Sequence, residues 1–141
     1  MEKANKKKWA IIISVIVAVI VVIAVILDNT SLGTPYTVTE EEMTYTYYYS
    51  SNSFLPDKRP TVKITVKNKS SKTITVYGNA NIYRDGNLYC SAVFCYTSGS
   101  AGITLAGGES GVLYAKGNVV SRLYYDNYEW TYKITSLNYH Y

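Results

Sequence analysis

The sequence has few of the residues that carry most enzyme chemistry. Its 141 residues include one histidine, His140, and two cysteines, Cys90 and Cys95. A catalytic triad needs a histidine held rigidly between two partners, and His140 is the penultimate residue, where chain ends usually fray. Tetrahedral zinc needs four closely spaced ligands, which this set does not supply. The nine glycines follow no phosphate-loop spacing. We therefore expect no enzyme, no metal and no cofactor.

Net charge is also small outside the first eight residues. The net charge is +4, and residues 1–8 carry +3 of it through four lysines and one glutamate. The lysines are Lys3, Lys6, Lys7 and Lys8. A basic tail of this length does not make a nucleic-acid-binding surface, so no nucleic-acid partner is expected.

One long apolar run follows the tail, from Trp9 to Leu27, and only Ser14 interrupts it. Nineteen helical residues span roughly 28 Å, close to the ~30 Å hydrocarbon core of a bilayer. The lysines before the run predict a cytoplasmic N-terminus, and Trp9 suits the headgroup region. We predict a single-pass cell-membrane protein. It has a cytoplasmic tail at 1–8, a transmembrane helix at 9–27, a linker at 28–35 and an extracytoplasmic domain at 36–141.

Two alternatives compete with a retained anchor. A cleaved signal peptide has a shorter apolar core and a small-residue cleavage site, and residues 25–29 fit this pattern poorly. A pilin-like subunit would lose the basic leader, pack its helix into a filament and form homo-oligomers. This sequence lacks a Lys-Gly or Lys-Ala junction at residue 8, and it lacks an early acidic residue in the run.

Alternating residues predict β-strands through the rest of the chain. Tyrosines alternate with threonines over residues 43–49, with Tyr45, Tyr47 and Tyr49 on the inward parity. Val62, Ile64 and Val66 alternate with polar residues, which indicates an antiparallel sheet with one wet face. The same parity continues from 74 to 84. Three consecutive glutamates, 40–42, point in different directions on a strand, so we interpret them as its solvated start and not as a cation site.

Turn signals separate these strands. Asp85-Gly86 predicts a two-residue hairpin, because its turn needs positive φ. Further strands are expected near 88–97, 103–105 and 112–115, while 118–127 is ambiguous. The last strand changes parity between Ile134 and Leu137, with Tyr132 and Tyr139 inward, which predicts a bulge or a kink near Ser136. About seven short strands predict an antiparallel β-sandwich.

Three turn motifs in residues 62–115 support a resemblance. They are Val66-Lys67-Asn68, Tyr83-Arg84-Asp85-Gly86, and Leu105 with Gly108 and Glu109. This stretch resembles the FxLYD-type immunoglobulin-like domains found outside bacterial and archaeal membranes. The resemblance implies an immunoglobulin-like sandwich in an extracytoplasmic location, and it leaves the activity open.

The two cysteines pose a geometric question. In one unbroken strand they would lie roughly 17 Å apart on opposite faces, beyond the ~7 Å Cα limit for a disulfide. A Cys90–Cys95 bridge therefore requires residues 91–94 to form a loop. An oxidising location favours the bond, and the absence of turn residues favours two small buried side chains instead.

Sixteen tyrosines are the most unusual feature of the predicted domain. Many suit half-buried strand positions. Tyr77, Tyr83 and Tyr89 lie on outward parities beside the hairpin, so they are the predicted recognition patch. The sites Asn29-Thr30-Ser31 and Asn68-Lys69-Ser70 match the N-glycosylation motif. Together these patterns predict a membrane-anchored surface module without catalysis that binds a protein, a glycan or a cell-wall component.

Overall fold

The computed structural model describes Ser14, Ile16, Ala18, Val19 and residues 33–141. The chain divides into two compact units, Met1–Pro35 and Tyr36–Tyr141. In the first unit, Ser14, Ile16, Ala18 and Val19 are helical. The predicted tail, most of the predicted span and the glycosylation motif at Asn29 lie outside the described residues, as do the orienting residues Lys3, Lys6, Lys7, Lys8 and Trp9. Within the part of the chain that the structure describes, no helix is both long and apolar enough to cross a membrane.

The second unit is all-β, as the alternating pattern predicts. Its elements are β1 (Tyr36–Tyr48), β2 (Asp57–Asn68), β3 (Ile74–Arg84), β4 (Asn87–Cys95), β5 (Ile103–Leu105), β6 (Ser110–Lys116), a 3-10 turn (Tyr125–Asn127) and β7 (Trp130–His140). The pairings between these strands are antiparallel. The strands are linked in the order β1-β2-β6-β4-β3-β5, and β7 pairs with the other edge of β3.

One apolar core lies between the β1-β2-β6 strands and the strands around β3. The predicted inward residues Val62, Ile64 and Val66 have no exposed surface, and Ile74, Val76, Ala80 and Ile82 on β3 are equally buried. Phe94 and Leu113 are among the largest fully buried side chains. The two groups of strands approach so closely that a Cβ at Gly111 would overlap the Ile103 side chain.

Asn68 is a buried polar residue that joins two turns. Its Nδ2 donates to the carbonyl oxygens of Lys72, Leu105 and Ala106, at 2.7, 3.1 and 3.1 Å. Its Oδ1 accepts bonds from the Ser70 N–H and hydroxyl. An acceptor for a glycan must be exposed, so the folded domain does not offer the Asn68 motif for glycosylation.

Two predicted irregularities are confirmed. Asp85 and Gly86 have φ of 50° and 80° and form the two-residue turn between β3 and β4. The Asp85 Oδ1 also accepts a bond from the Glu129 N–H at 2.8 Å, which ties the turn to the start of β7. On β7 the pairing with β3 passes directly from Ile134 to Ser136, so Thr135 is the bulged residue.

Strand β1 departs from the sequence prediction in extent and in burial. It begins at Tyr36, seven residues before the predicted alternation, so Glu40–Glu42 lie inside it. Glu42 forms an ion pair with Lys63 at 3.2 Å, and Glu40 accepts a bond from Thr65. The three carboxylates therefore do not converge.

Three tyrosines of this region lie on the parity that the sequence predicts to face inward. The prediction that they are half-buried is wrong. Tyr45, Tyr47 and Tyr49 are 40%, 55% and 71% exposed. Tyr45 and Tyr47 pair with Pro60 and Lys58, beyond the core residue Val62, where β1 continues past the apolar core. For Tyr132 and Tyr139 the prediction is confirmed, since both are half-buried against the core.

Candidate functional site

Two long connections meet at one end of the β domain. Residues 49–56 join β1 to β2, and residues 117–129 join β6 to β7. Lys58 and Val120 exchange two backbone hydrogen bonds of 3.0 and 2.8 Å, and the Asp57 carboxylate accepts the Arg122 N–H at 3.1 Å. These bonds hold the two connections together at the end of β1 opposite Tyr36, the residue by which the chain enters the domain.

A cluster of rings forms the floor of this end around Trp130. Tyr125 stacks on the indole with centroids 5.2 Å apart and an angle of 19° between the planes. Tyr89 and Tyr128 meet the indole edge to face, at 5.1 and 5.9 Å. The indole Nε1 donates to the Tyr125 carbonyl oxygen at 3.0 Å, which fixes the ring inside the cluster. Aromatic pairs of this geometry stabilise one another beyond their buried area.

Two cations lie against these rings. The Lys58 Nζ is 4.3 Å from the Tyr45 centroid and 5.1 Å from that of Tyr125, and it pairs with Asp126 at 3.3 Å. The Arg84 guanidinium lies 4.7 Å from the Tyr128 centroid and 5.3 Å from that of Tyr89. Cation–π contacts therefore position Lys58 and Arg84 at the cluster without removing them from solvent entirely.

Tyr125 has the most perturbed environment of this group. Burial, then the neighbouring Asp126 carboxylate and Tyr45, raise the pKa of the Tyr125 phenol to about 12. Its hydroxyl donates to the Thr44 carbonyl oxygen at 3.3 Å. The phenol therefore stays neutral at physiological pH and serves to join the 3-10 turn to β1.

Around this floor lies an exposed apolar rim. We call it the aromatic rim, and its members are Tyr47, Tyr49, Phe54, Leu55, Leu123 and Tyr124. Phe54 is fully exposed, and Leu123 is 70% exposed. Exposed apolar side chains clustered in one place mark binding surfaces, and aromatic residues and arginine are enriched in protein interfaces. The arrangement can bind a partner by burying apolar area.

The structure does not bring the three predicted recognition tyrosines together. Tyr77 lies near the opposite end of β3, with its ring 5.6 Å from the His140 ring. Tyr83 is on the same strand face six residues further on, a rise of about 20 Å. Tyr89 does not follow the outward parity, because the irregular pairing beside Tyr83 turns it against the core and Trp130.

Sequence reasoning missed most of the aromatic rim. The ring cluster beneath it did have a signal, the density of rings from Tyr124 to Trp130, in a segment whose pattern fits neither a strand nor a helix. Tertiary contacts place this segment, and no local period reveals its position.

The two cysteines of the predicted bridge and His140 all lie on strands of the domain. Cys90 and Cys95 are free thiols in the continuous strand β4, so residues 91–94 do not form the loop that a bridge requires. Cys90 packs against the core, and Cys95 pairs with Tyr114 on β6. His140 belongs to β7 and pairs with Thr75, so it is not frayed as its position suggested.

Among the described residues, no group of three or more histidine, cysteine or acidic side chains is placed to hold a metal ion. The aromatic rim and the ring cluster beneath it therefore form the candidate site in residues 33–141. No protein-family model, no curated protein and no solved structure matches this chain.

Proposed function

We propose that this chain is a membrane-anchored, extracytoplasmic interaction module that binds a protein partner through the aromatic rim and carries out no catalysis. The observation that carries the proposal is the exposure of Phe54, Leu123 and Tyr49 on the two connections that meet at the end of the domain where the ring cluster lies. Fully exposed apolar side chains favour a protein partner, because burial of each contributes roughly 1.5–3 kcal/mol. The rigid floor lowers the entropy cost of ordering the surface on binding.

The anchor is part of the same proposal. The nineteen-residue apolar run and the lysines before it support a single crossing with the N-terminus in the cytoplasm. Strand β1 starts at Tyr36 and ends beside the rim, so the rim lies about 40 Å along the strand from the residue that follows the linker. Within the β domain, the rim therefore lies at the end opposite the residue that follows the linker.

We also infer that the all-β domain is an immunoglobulin-like sandwich of the FxLYD type. The contact between Asn68 and the 105–109 turn supports this inference, since two of the three resembling motifs bond to each other. The Asp85-Gly86 motif forms the hairpin that the resemblance implies. In each case the motif residues make turns, which agrees with a structural role.

Photo-crosslinking in intact cells tests the binding surface. A benzophenone amino acid at position 54 should give a discrete protein adduct, and the Leu123→Ser variant should weaken it at least tenfold. The matched control carries the same probe at Asn138, exposed on β7 at the other end of the domain. Absence of an adduct at 54, or equal adducts at 54 and 138, would contradict the proposal.

Protease treatment of intact cells tests the orientation. The β domain should be digested together with a surface control, and its survival would overturn the extracytoplasmic assignment. N-terminal sequencing of the purified native protein tests the anchor. An intact Met1 region supports it, whereas loss of residues 1–8 would indicate the pilin-like filament subunit instead.

A further inference from the structure

A second concave surface lies away from the aromatic rim, between β5 and β6. Its volume is about 640 Å³, within the usual range for small-molecule sites. We call it the hydroxyl groove, because eight hydroxyl-bearing side chains line it. They are Thr75, Tyr96, Thr97, Ser98, Ser100, Thr104, Ser110 and Tyr114. The groove includes none of the aromatic-rim residues.

Strand pairing explains why the groove is open. β4 pairs with β6 only through Phe94 and Cys95, so the edge of β6 at residues 110–113 has no β4 partner. β5 is three residues long and pairs with β3. The chain leaves β4 at Cys95 and returns through residues 96–102, which form one wall of the groove.

This wall is held in a defined conformation. The Tyr96 N–H donates to the Ser100 carbonyl oxygen at 2.9 Å, and the Gly99 N–H donates to the Tyr96 carbonyl oxygen at 2.8 Å. Gly102 has φ of 77°, and a Cβ there would come within 2.6 Å of the Val76 carbonyl oxygen. Only glycine fits this close approach, so the wall meets β3 at a fixed position and presents Tyr96 with 45% of its surface exposed.

The lining combines uncharged hydroxyl groups with apolar side chains such as Ile103, Leu105 and Val112. The described residues that line the groove include no lysine and no arginine. Its one carboxylate, Glu109, already accepts the Ala106 N–H at 2.7 Å. Lys63, the cross-strand partner of Tyr114, is ion-paired with Glu42. Hydroxyl groups both donate and accept hydrogen bonds, so the groove suits a ligand rich in hydroxyls and poor in charge.

We propose that the hydroxyl groove binds a neutral oligosaccharide. The Tyr96 and Tyr114 rings offer apolar faces for the C–H faces of sugar rings, and the threonine and serine hydroxyls exchange hydrogen bonds with sugar hydroxyls. The absence of lysine and arginine from the lining disfavours phosphate-bearing and carboxylate-bearing glycans. This site is additional to the protein-binding rim, and its failure would leave the rim proposal intact.

Ligand-observed NMR on the full-length chain in lipid nanodiscs tests the proposal. Nanodiscs avoid sugar-based detergents, which would compete for the groove. The probes are chitohexaose, cellohexaose and maltohexaose, with oligogalacturonate as the acidic comparison. At least one neutral hexasaccharide should bind, and raising the salt concentration to 0.5 M should leave its affinity unchanged within twofold. No binding by the three neutral probes, or tighter binding of the acidic one, would overturn the proposal.

Variants locate the binding within the molecule. Tyr96→Ala and Tyr114→Ala should each weaken binding at least tenfold. Tyr96→Phe keeps the ring and the fold, and it should weaken binding less than Tyr96→Ala. Tyr48→Ala, at an exposed position outside both the groove and the aromatic rim, should bind as the unchanged chain does. Undiminished binding by a folded Tyr96→Ala variant would overturn the assignment of the groove.

Discussion

At the scale of single residues, Tyr125 and Asn68 show how polar side chains can be buried and still keep their hydrogen-bond partners. Both lie almost wholly inside the domain, and each uses its polar atoms to join separate turns or strands. Among the described residues, buried side-chain nitrogen and oxygen atoms all have hydrogen-bond partners. Removal of one partner would leave an unsatisfied buried group, which costs more than the bond itself contributes.

Because of Tyr125, the free energy of unfolding should fall as pH rises in the alkaline range. Its pKa is about 12 in the folded state and 10 in the unfolded state, so the folded state holds the phenolic proton more tightly. The contribution is present in full below pH 10 and is lost as pH rises from 10 to 12. Urea unfolding at pH 9 and pH 11.5 should therefore show a larger loss for the unchanged chain than for Tyr125→Phe.

A matched variant controls for the other tyrosines. Burial also raises the pKa of Tyr36, Tyr89 and Tyr132, so the unchanged chain loses further stability over the same range. Tyr49→Phe, at an exposed position, should show the same pH difference as the unchanged chain. An equal pH difference for Tyr125→Phe would show that folding does not raise the pKa of Tyr125.

At the scale of elements, the bulge in β7 lets the inward side chains before it and those after it face the same core. Ile134 and Leu137 both pack against the core although they are three residues apart, an odd spacing that regular alternation forbids. Thr135 takes up the extra position, and its hydroxyl donates to the Asn79 carbonyl oxygen at 3.2 Å. The parity change in the sequence predicted this irregularity, because only a bulge lets both sets face inward.

Deletion of Thr135 should therefore be tolerated. Without it, Ile134 and Leu137 are two residues apart, and regular pairing places both inward, so we expect a loss of about 1 kcal/mol or less. Deletion of Lys133 is the matched control. It turns Ile134 outward and Thr135 inward, and the lost burial should cost about 2 kcal/mol more. Thermal and urea unfolding of the two deletions measure the difference, and equal losses would contradict the bulge as the phase-keeping feature.

At the scale of the whole molecule, the strand order predicts where the domain resists opening. β2 lies between β1 and β6, and β3 lies between β7 and the strands β4 and β5, whereas among the described strands β1, β5 and β7 each pair with a single neighbour. Edge strands have partners on one side and open at lower free energy. Hydrogen exchange followed by mass spectrometry should find the slowest amides at residues 62–66 and 76–82. Peptides from 43–48 should exchange at least tenfold faster, and equal protection would contradict this order.

The sequence by itself determined the strands, their inward faces, the Asp85-Gly86 turn and the bulge in β7. These features follow from local chemistry, because side chains alternate along a strand and few residues adopt positive φ. The same local pattern predicted the burial of Tyr132 and Tyr139, which lie opposite other core residues.

Only the tertiary structure decided which tyrosines meet and which face solvent. Alternation gives the side on which Tyr45 and Tyr47 lie, and it cannot give the length of the core that would cover them. The irregular pairing that turns Tyr89 inward, the burial of Asn68 and the placement of residues 117–129 all depend on segments distant in sequence. The aromatic rim and the hydroxyl groove arise from such contacts, because each is assembled where strands of unequal length end.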